Sequence, residues 1–359
     1  MNGKPISYRS EDDPLSAQLV LHPGNRGWII EKFATRLLEN LAAWNVRAAI
    51  SEQPSATADI NHWMIYHHCK GARLTPGTVL ITHVDDYEKL AMVRESLRVA
   101  DVGICLSRMT VEGLVKQGIS RQQLCYITPG HDGLVAPRRI VIGITTRVRV
   151  YAGYRKREDL LLKLADALRL DAFHFKIFGA GWDEIIPRLE AAGATVDYYP
   201  GSGDYQRDYK EILEMTPTFD YYLYAGLDEG SMGLLDALAA GVATIVTPQG
   251  FHLDIESGIT HAFWDAPQMC EIFKNIAEER QRRIDGVKGL TWDSYARQHA
   301  LVWRALLAGR QSDIPHLLHQ EHQHDGQHRQ RPRLDALQES IKFYVNPVLR
   351  RILRRLGRR

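Results

Sequence analysis

The sequence predicts an α/β protein with two doubly wound parallel sheets, and three observations carry that expectation. Short apolar runs of strand length alternate with stretches of helical period, the pattern of βα units whose sheet is covered on both faces. The alternation runs through two successive series, so the architecture is duplicated although no sequence repeat of fixed period is visible. Glycines, acids and hydroxyl residues gather where strands hand the chain to helices, the ends at which such sheets bind ligands. At 359 residues the chain exceeds one ordinary core. The division expected is a first domain over 1–136, a second over 137–309, a polar His-rich linker over 310–330 and a basic tail over 331–359.

Composition narrows the classes. Hydrophobic residues make up 45% and the net charge is +2, so the chain is globular and has no global field for nucleic acid. Cys69, Cys105, Cys125 and Cys270 are widely spaced without a Cys-x-x-Cys pair, and they read as reduced core thiols of a cytosolic protein. No basic and then apolar leader stands near the start, and no apolar run reaches the ~18 residues of a membrane span. Neither secretion nor membrane spanning is expected.

The first series opens, after a polar lead-in over 1–14, with a strand over 17–21 (AQLVL). His22-Pro23-Gly24-Asn25-Arg26-Gly27 then leads into a helix over 28–44. Gly24 and Gly27 allow the backbone to approach a ligand phosphate, with an ordinary tight turn as the competing reading. Strands follow over 46–50 and 61–66, the latter leading to His67 and His68. Neighbouring side chains on a strand face opposite sides, so this pair is not expected to chelate one metal. A strand over 78–82 (TVLIT) delivers His83-Val84-Asp85-Asp86 at its ligand end. A strand over 100–106 precedes Ser107, an N-cap for a helix over 109–117 closed by Gly118. A short strand and a Pro-Gly turn within 118–133 end the domain.

The second series starts with a strand over 139–145 and a loop holding Arg147, Arg149 and Arg155-Lys156-Arg157, after which Glu158-Asp159-Leu160-Leu161 opens a helix. A strand over 173–178 runs into the tight turn Gly179-Ala180-Gly181-Trp182, and a strand over 196–199 precedes a helix over 205–213. The stretch over 221–255 organises the rest. An apolar strand ends at Tyr224, and a turn holds Asp228, Glu229, Gly230 and Ser231. A helix with Leu234, Leu235, Leu238 and Ala239 at its spacing ends at Gly241 in the C′ position, and a strand spans 243–247. Acids and small residues at one helix N-terminus suit a nucleotide diphosphate over free N–H groups, with Asp236 about two turns in and able to reach a ribose. A polar helix over 268–283 and an amphipathic one over 291–307 complete the series.

Asp228 and Asp236, with seven residues between them and Ala-Leu-Ala-Ala-Gly after the second, resemble the Glu-x7-Glu signature of retaining glycosyltransferases of the GT-B fold, most like glycosyltransferase family 4. Both acids are Asp here, and Glu229 lies one residue off the spacing, so Asp228 and Glu229 both stand as the donor-sugar acid. The resemblance covers 17–307. It implies two Rossmann-like domains facing across a cleft, the last helix crossing back to the first, and a nucleotide-sugar donor held between them. Lys156, with either Arg147 or Arg149, would stabilise the leaving diphosphate, which removes the need for a metal. Gly230, Ser231 and Met232 would offer N–H groups to the distal phosphate and Asp236 would hold the ribose. Gly24 and Gly27 would face the phosphates from the other domain, Gly179 and Gly181 would lie by the base, and His83 would position sugar or acceptor.

The tail adds a partner. Residues 331–359 carry nine basic residues against Asp335 and Glu339, with Leu334, Leu337, Ile341, Val345, Val348, Ile352 and Leu356 at three- and four-residue steps. Such a stripe flanked by arginines suits an anionic bilayer surface. The expectation is a peripheral enzyme on the cytoplasmic face of a cell membrane, acting on a glycan or lipid-linked acceptor such as an O-antigen or capsule precursor, with partner glycosyltransferases nearby. A nucleotide-sugar epimerase of the same fold and a non-catalytic nucleotide-sugar scaffold are the alternatives. Gly24-Asn25-Arg26-Gly27 lacks the Gly-x-Gly-x-x-Gly spacing of a dinucleotide loop, which argues against an NAD enzyme.

Overall fold

A computed structural model describes residues 14–148 and 156–324. Arg149, residues 325–330 of the expected linker and the basic stripe of 331–359 lie outside the described residues. The described chain falls into two compact units: the residues up to Val135 together with those from Asp285 on, and Ala136–Ile284. Each is built on one six-stranded sheet in which every pairing is parallel. This is the doubly wound α/β class, with two Rossmann-like sheets, that the alternation predicts.

In the first unit the strands are β1 (Leu15–Val20), β2 (Val46–Ser51), β3 (Ile60–Trp63), β4 (Gly77–Ile81), β5 (Val102–Cys105) and β6 (Leu124–Tyr126), in the order β2-β1-β3-β4-β5-β6. β3, β4 and β5 are buried at every position, as strands covered on both faces must be. Helices α1 (Ile29–Leu41), α2 (Tyr87–Val99) and α3 (Arg108–Lys116) cover them. Ser107 caps α3 by accepting from the Thr110 amide. The strand expected to reach residue 66 stops at Trp63, and His67 and His68 lie in a single 3-10 turn, Tyr66–His68. They therefore do not alternate across a strand, and His68 stacks on His22 at 3.7 Å.

The second unit has β7 (Ile140–Ile144), β8 (Phe173–Phe178), β9 (Thr195–Tyr199), β10 (Tyr221–Tyr224), β11 (Ala243–Val246) and β12 (His261–Ala262), ordered β12-β11-β10-β7-β8-β9. Its helices are α4 (Asp159–Ala167), α5 (Ile186–Ala191), α6 (Tyr205–Met215), α7 (Met232–Ala239) and α8 (Ala266–Asp285). Gly241 follows α7 at φ +73, the left-handed C′ position expected of it. On α7 the buried residues are Leu234 and Ala237, whereas Leu235 is exposed, so the inward face is narrower than the run of leucines suggests.

Two helices follow the second unit. α9 (Trp292–Leu307), placed at the end of the second domain by the sequence, packs into the first unit's core, because Trp292, Tyr295, Ala296, Val302 and Trp303 present one apolar face beside Phe33 and Leu37 of α1. α10 (Ile314–His324) occupies part of the expected linker. Ile314 and Leu318, one turn apart, are buried in that same core and give an otherwise polar segment a reason to be helical.

Beneath α9 lies a buried polar cluster. The Trp303 indole donates to the Thr78 hydroxyl at 2.8 Å, and that hydroxyl in turn meets His62 Nδ1 at 2.8 Å. His299 Nδ1 bonds the Tyr295 carbonyl at 2.8 Å, and the two imidazoles stand 5.2 Å apart. Both Nε2 atoms are buried without a partner. Burial holds His299 at about 4, down from 6.5, and pushes His62 well below 6.5, with repulsion from His299 adding to it. Below pH 6.5 the unfolded chain thus takes up protons that these sites refuse, so stability rises with pH there. It is present in full above about 6.5 and lost as pH falls toward 4, by about 3 kcal/mol for His299 alone. Urea denaturation at pH 7 and pH 4.5 is expected to show a larger loss in the wild type than in His299→Leu; equal losses would refute a neutral buried imidazole.

Candidate functional site

In the second sheet the winding reverses between β7 and β10, which makes the carboxyl ends of these neighbours the topological switch point. One hydroxyl ties the two ends together. Tyr222 Oη on β10 lies 2.9 Å from Thr145 Oγ1, just beyond β7, and 2.7 Å from Ser231 Oγ, the N-cap of α7. The first turn of α7 thereby sits directly on the strands. Gly233 permits this, since a Cβ there would lie 2.3 Å from Thr145 Oγ1 and 2.5 Å from Tyr222 Oη.

The turn before α7 is held from two sides. Asp228, half-buried, accepts through Oδ1 from the Tyr224 hydroxyl at 2.5 Å and from the Gly230 amide at 3.2 Å, and no hydrogen bond to its Oδ2 is found among the described residues. Burial and that bond to Asp228 push the Tyr224 phenol upward, so it stays a donor. Glu229 is exposed, and its backbone carbonyl accepts from the Phe251 amide at 3.1 Å. The Ser231 amide donates to His252 Nε2 at 2.9 Å, and His252 Nδ1 faces the Thr247 carbonyl at 3.2 Å. His252 is thus a buried positioning residue that sequence reasoning did not single out.

Three consecutive residues beside this turn have three different roles. Lys156 is half-buried and has no ion pair among the described residues. Arg157 adopts φ +50 and spends its guanidinium on the Ala225 carbonyl at 2.8 Å, the Trp264 carbonyl at 2.6 Å and Thr247 Oγ1 at 2.7 Å. Those groups follow β10, β12 and β11, so Arg157 gathers three strand ends and holds a left-handed backbone that costs about 1 kcal/mol or more in a side-chain-bearing residue. Glu158 is buried with Oε1 unpartnered, and burial raises it above the usual carboxylate range while Lys156 opposes the rise.

The other expected residues of this unit surround the same ends. Arg147 is exposed after β7 and lies near Asp208, which hydrogen bonds from Ser202 and the Gly203 amide hold below the usual range. Asp236, the ribose candidate, accepts from Tyr209 Oη at 3.4 Å, and Tyr209 stacks on the exposed Tyr205 at 5.7 Å. Gly179 and Gly181, both at positive φ, let the turn after β8 lie against the backbone of Thr146 and Val148; at Gly179 a Cβ would be 2.3 Å from the Thr146 carbonyl. Met232 opens α7 and is exposed.

Gly24, Gly27 and His83 belong to the first unit. The first sheet reverses its winding between β1 and β3, and the His22–Gly27 loop and the His67–His68 turn follow those two strands. There the Gly24 amide donates to His22 Nδ1 at 3.1 Å and the Gly27 amide to Glu31 Oε2 at 2.5 Å, so one is engaged within the loop and the other by the first turn of α1. His83 follows β4 at φ +55, exposed, with Nδ1 2.9 Å from Thr82 Oγ1.

No protein-family model matches the chain, and no curated protein sequence matches it. Solved structures do. Anabaena HepE in complex with UDP and glucose is 12% identical over 85% of this chain and 100% of that one, with a TM-score of 0.28. The lipopolysaccharide outer core galactosyltransferase WaaB in its apo form is 13% identical over 85% of this chain and 99% of that one, at 0.29. The catalytic domain of the Helicobacter pylori cholesterol-alpha-glucosyltransferase is 15% identical over 47% of this chain and 99% of that one, at 0.30. Likeness at this level decides nothing about what this chain binds.

The seating of α7 is directly testable. Gly233→Ala is expected to destabilise the protein by about 1–3 kcal/mol through overpacking. Gly241→Ala meets nothing within 4 Å and carries only the strain of its φ, about 1 kcal/mol. Urea melts in which Gly233→Ala loses no more than Gly241→Ala would remove the close approach.

Proposed function

We propose that the protein is a glycosyltransferase of the GT-B type, moving a sugar from a nucleotide-sugar donor to a hydroxyl of a glycan acceptor with retention. The observation that supports this reading is that Glu158 feels the charges of both Lys156 and Asp228 at the switch point of the second sheet, where α7 begins, and that Lys156 has no ion pair among the described residues. Loss of the nucleoside diphosphate leaves negative charge on the departing oxygen, and a fixed cation beside helix amides is the electrostatic arrangement that stabilises it. Because the Ser231 amide is already given to His252, the amides left for a phosphate are those of Met232 and Gly233, in the turn that an α-helix leaves without internal acceptors.

Asp228, oriented by Tyr224 and Gly230 with Oδ2 unengaged, is the better placed of the two acids to hold sugar hydroxyls, and Glu229 is the other. Asp236 accepts from the ribose in place of Tyr209. Lys156 acts with Arg147 or Arg149, and no metal is required. The donor phosphate takes the acceptor proton, and His83 positions sugar or acceptor. The acceptor is a lipid-linked polysaccharide precursor, reached at the cytoplasmic face of a membrane through residues 331–359. In the described residues no helix is long and apolar enough to cross a membrane.

Thermal shift against GDP-, UDP-, dTDP- and CMP-linked sugars without added metal tests the donor. Ligand at about 100 times its dissociation constant should add roughly 2.7 kcal/mol of stability. One nucleotide class is expected to shift the wild type, and Lys156→Ala to lose the shift; a folded protein that responds to none would sink the proposal. The membrane arm is separate. Deleting residues 331–359 should release the protein from anionic vesicles and leave the nucleotide response intact, so undiminished vesicle binding would count against the tail.

A further inference from the structure

At the amino ends of β7, β10 and β11, away from the strand ends described above, the second unit holds a pocket of about 440 Å³, within the size range of small-ligand sites. Its wall carries Arg138, Arg139, Arg280 and Arg283 against two carboxylates, Asp220 and Glu279. Two of these arginines are neutralised in place. Arg138 forks onto both oxygens of Asp220 at 2.6 and 2.8 Å, and Arg283 meets Glu279 at 2.5 Å. Arg139 is anchored on the Gly193 carbonyl at 3.0 Å, with Asp171 near enough to feel its charge.

Arg280 is different. Its Nε donates to the Arg138 carbonyl at 2.8 Å and one terminal nitrogen donates to the Pro137 carbonyl at 3.2 Å, and no carboxylate pairs with it among the described residues. Two backbone oxygens thus fix the guanidinium without cancelling its charge, and three of its five N–H donors remain. A pre-oriented, unneutralised guanidinium at a pocket wall is matched by a phosphate, which accepts two parallel N–H bonds. We propose that this pocket binds a small phosphate-bearing molecule, a phosphate ester or diphosphate, on Arg280 with Arg139 contributing charge.

Such a site is independent of the donor reading. It lies at the opposite ends of β7 and β10 from Thr145 and the Asp228 turn, so the two ligands would not compete for the same groups. The chain comes into this unit at Ala136 and leaves it at Ile284, and Pro137 and Ile284 both line the pocket. An anion held by Arg280 would therefore reinforce the tie between the end of α8 and the 137–138 backbone.

Isothermal titration of the full chain with inorganic pyrophosphate, in low-salt buffer without metal, tests this. Because pyrophosphate also suits Lys156, the measurement is made in a Lys156→Ala background, where binding is expected to persist. Adding Arg280→Gln should then raise the dissociation constant about tenfold or more, the worth of a lost charge-assisted contact. Arg283→Gln leaves the tie of Arg280 to Pro137 and Arg138 untouched but frees the Glu279 carboxylate on the pocket wall, so it should weaken binding in the same direction, which separates ligand loss from misfolding. No binding by the Lys156→Ala protein, or binding indifferent to both arginine changes, would overturn the proposal.

Discussion

The second unit depends on how closely α7 can approach β7 and β10. Tyr222 lies in a strand buried on both faces, and its hydroxyl needs a polar partner there; Thr145 and Ser231 supply two, one on each side of the switch point. The bond fixes the helix N-terminus over the sheet, and a glycine at 233 is the condition for it. The polar groups at this switch point then follow from that position. The Asp228 turn is short because Ser231 is pinned, and the loop with His252 is drawn in because the Ser231 amide, turned away from the helix, still needs an acceptor.

A parallel sheet covered on both faces leaves only its loops free to carry function, and this chain uses the carboxyl-end loops in two ways. Some carry the charged and polar groups of the candidate site. Others hold the first kind still: Arg157 draws together backbone after β10 and β12 and the Thr247 hydroxyl after β11, and Gly179 and Trp182 grip the Thr146 carbonyl after β7, the Trp182 indole donating at 2.9 Å. A site pre-organised by such bonds loses little entropy when charge arrives, which is where an electrostatic mechanism gains its effect.

The strands and the doubly wound class were legible in the sequence because continuous apolar runs of four to six residues, bounded by glycine and proline, admit few other readings. β8 and β10 stand where periodicity puts them. What escaped was set by tertiary contact. β12 is two residues long and exists only by pairing with Ile245 and Val246. α10 is largely polar by composition and is tied to the core through Ile314 and Leu318, with Leu317 packed beside them, and the turn at His67 and His68 broke a strand pattern that hydropathy could not distinguish from its continuation. Within the site, the acids and glycines of the 228–233 turn could be found by type and spacing. Tyr222 and His252 could not, because their function lies in one polar atom on a residue that burial alone would explain.

Lys156, Arg157 and Glu158 show why residue type is a weak guide at such a place. By composition the run Arg-Lys-Arg-Glu is a charged, solvated loop. In the fold, the guanidinium is structural, its charge facing two carbonyls and a hydroxyl, and burial lowers its proton affinity accordingly. The carboxyl next to it is buried, and burial raises it above the usual carboxylate range while the charge of Lys156 opposes the rise. Of two adjacent cations, the arginine with more donors is consumed in shaping the site, because a planar fork can satisfy three acceptors in three directions. The lysine beside it is half-buried and has no ion pair among the described residues.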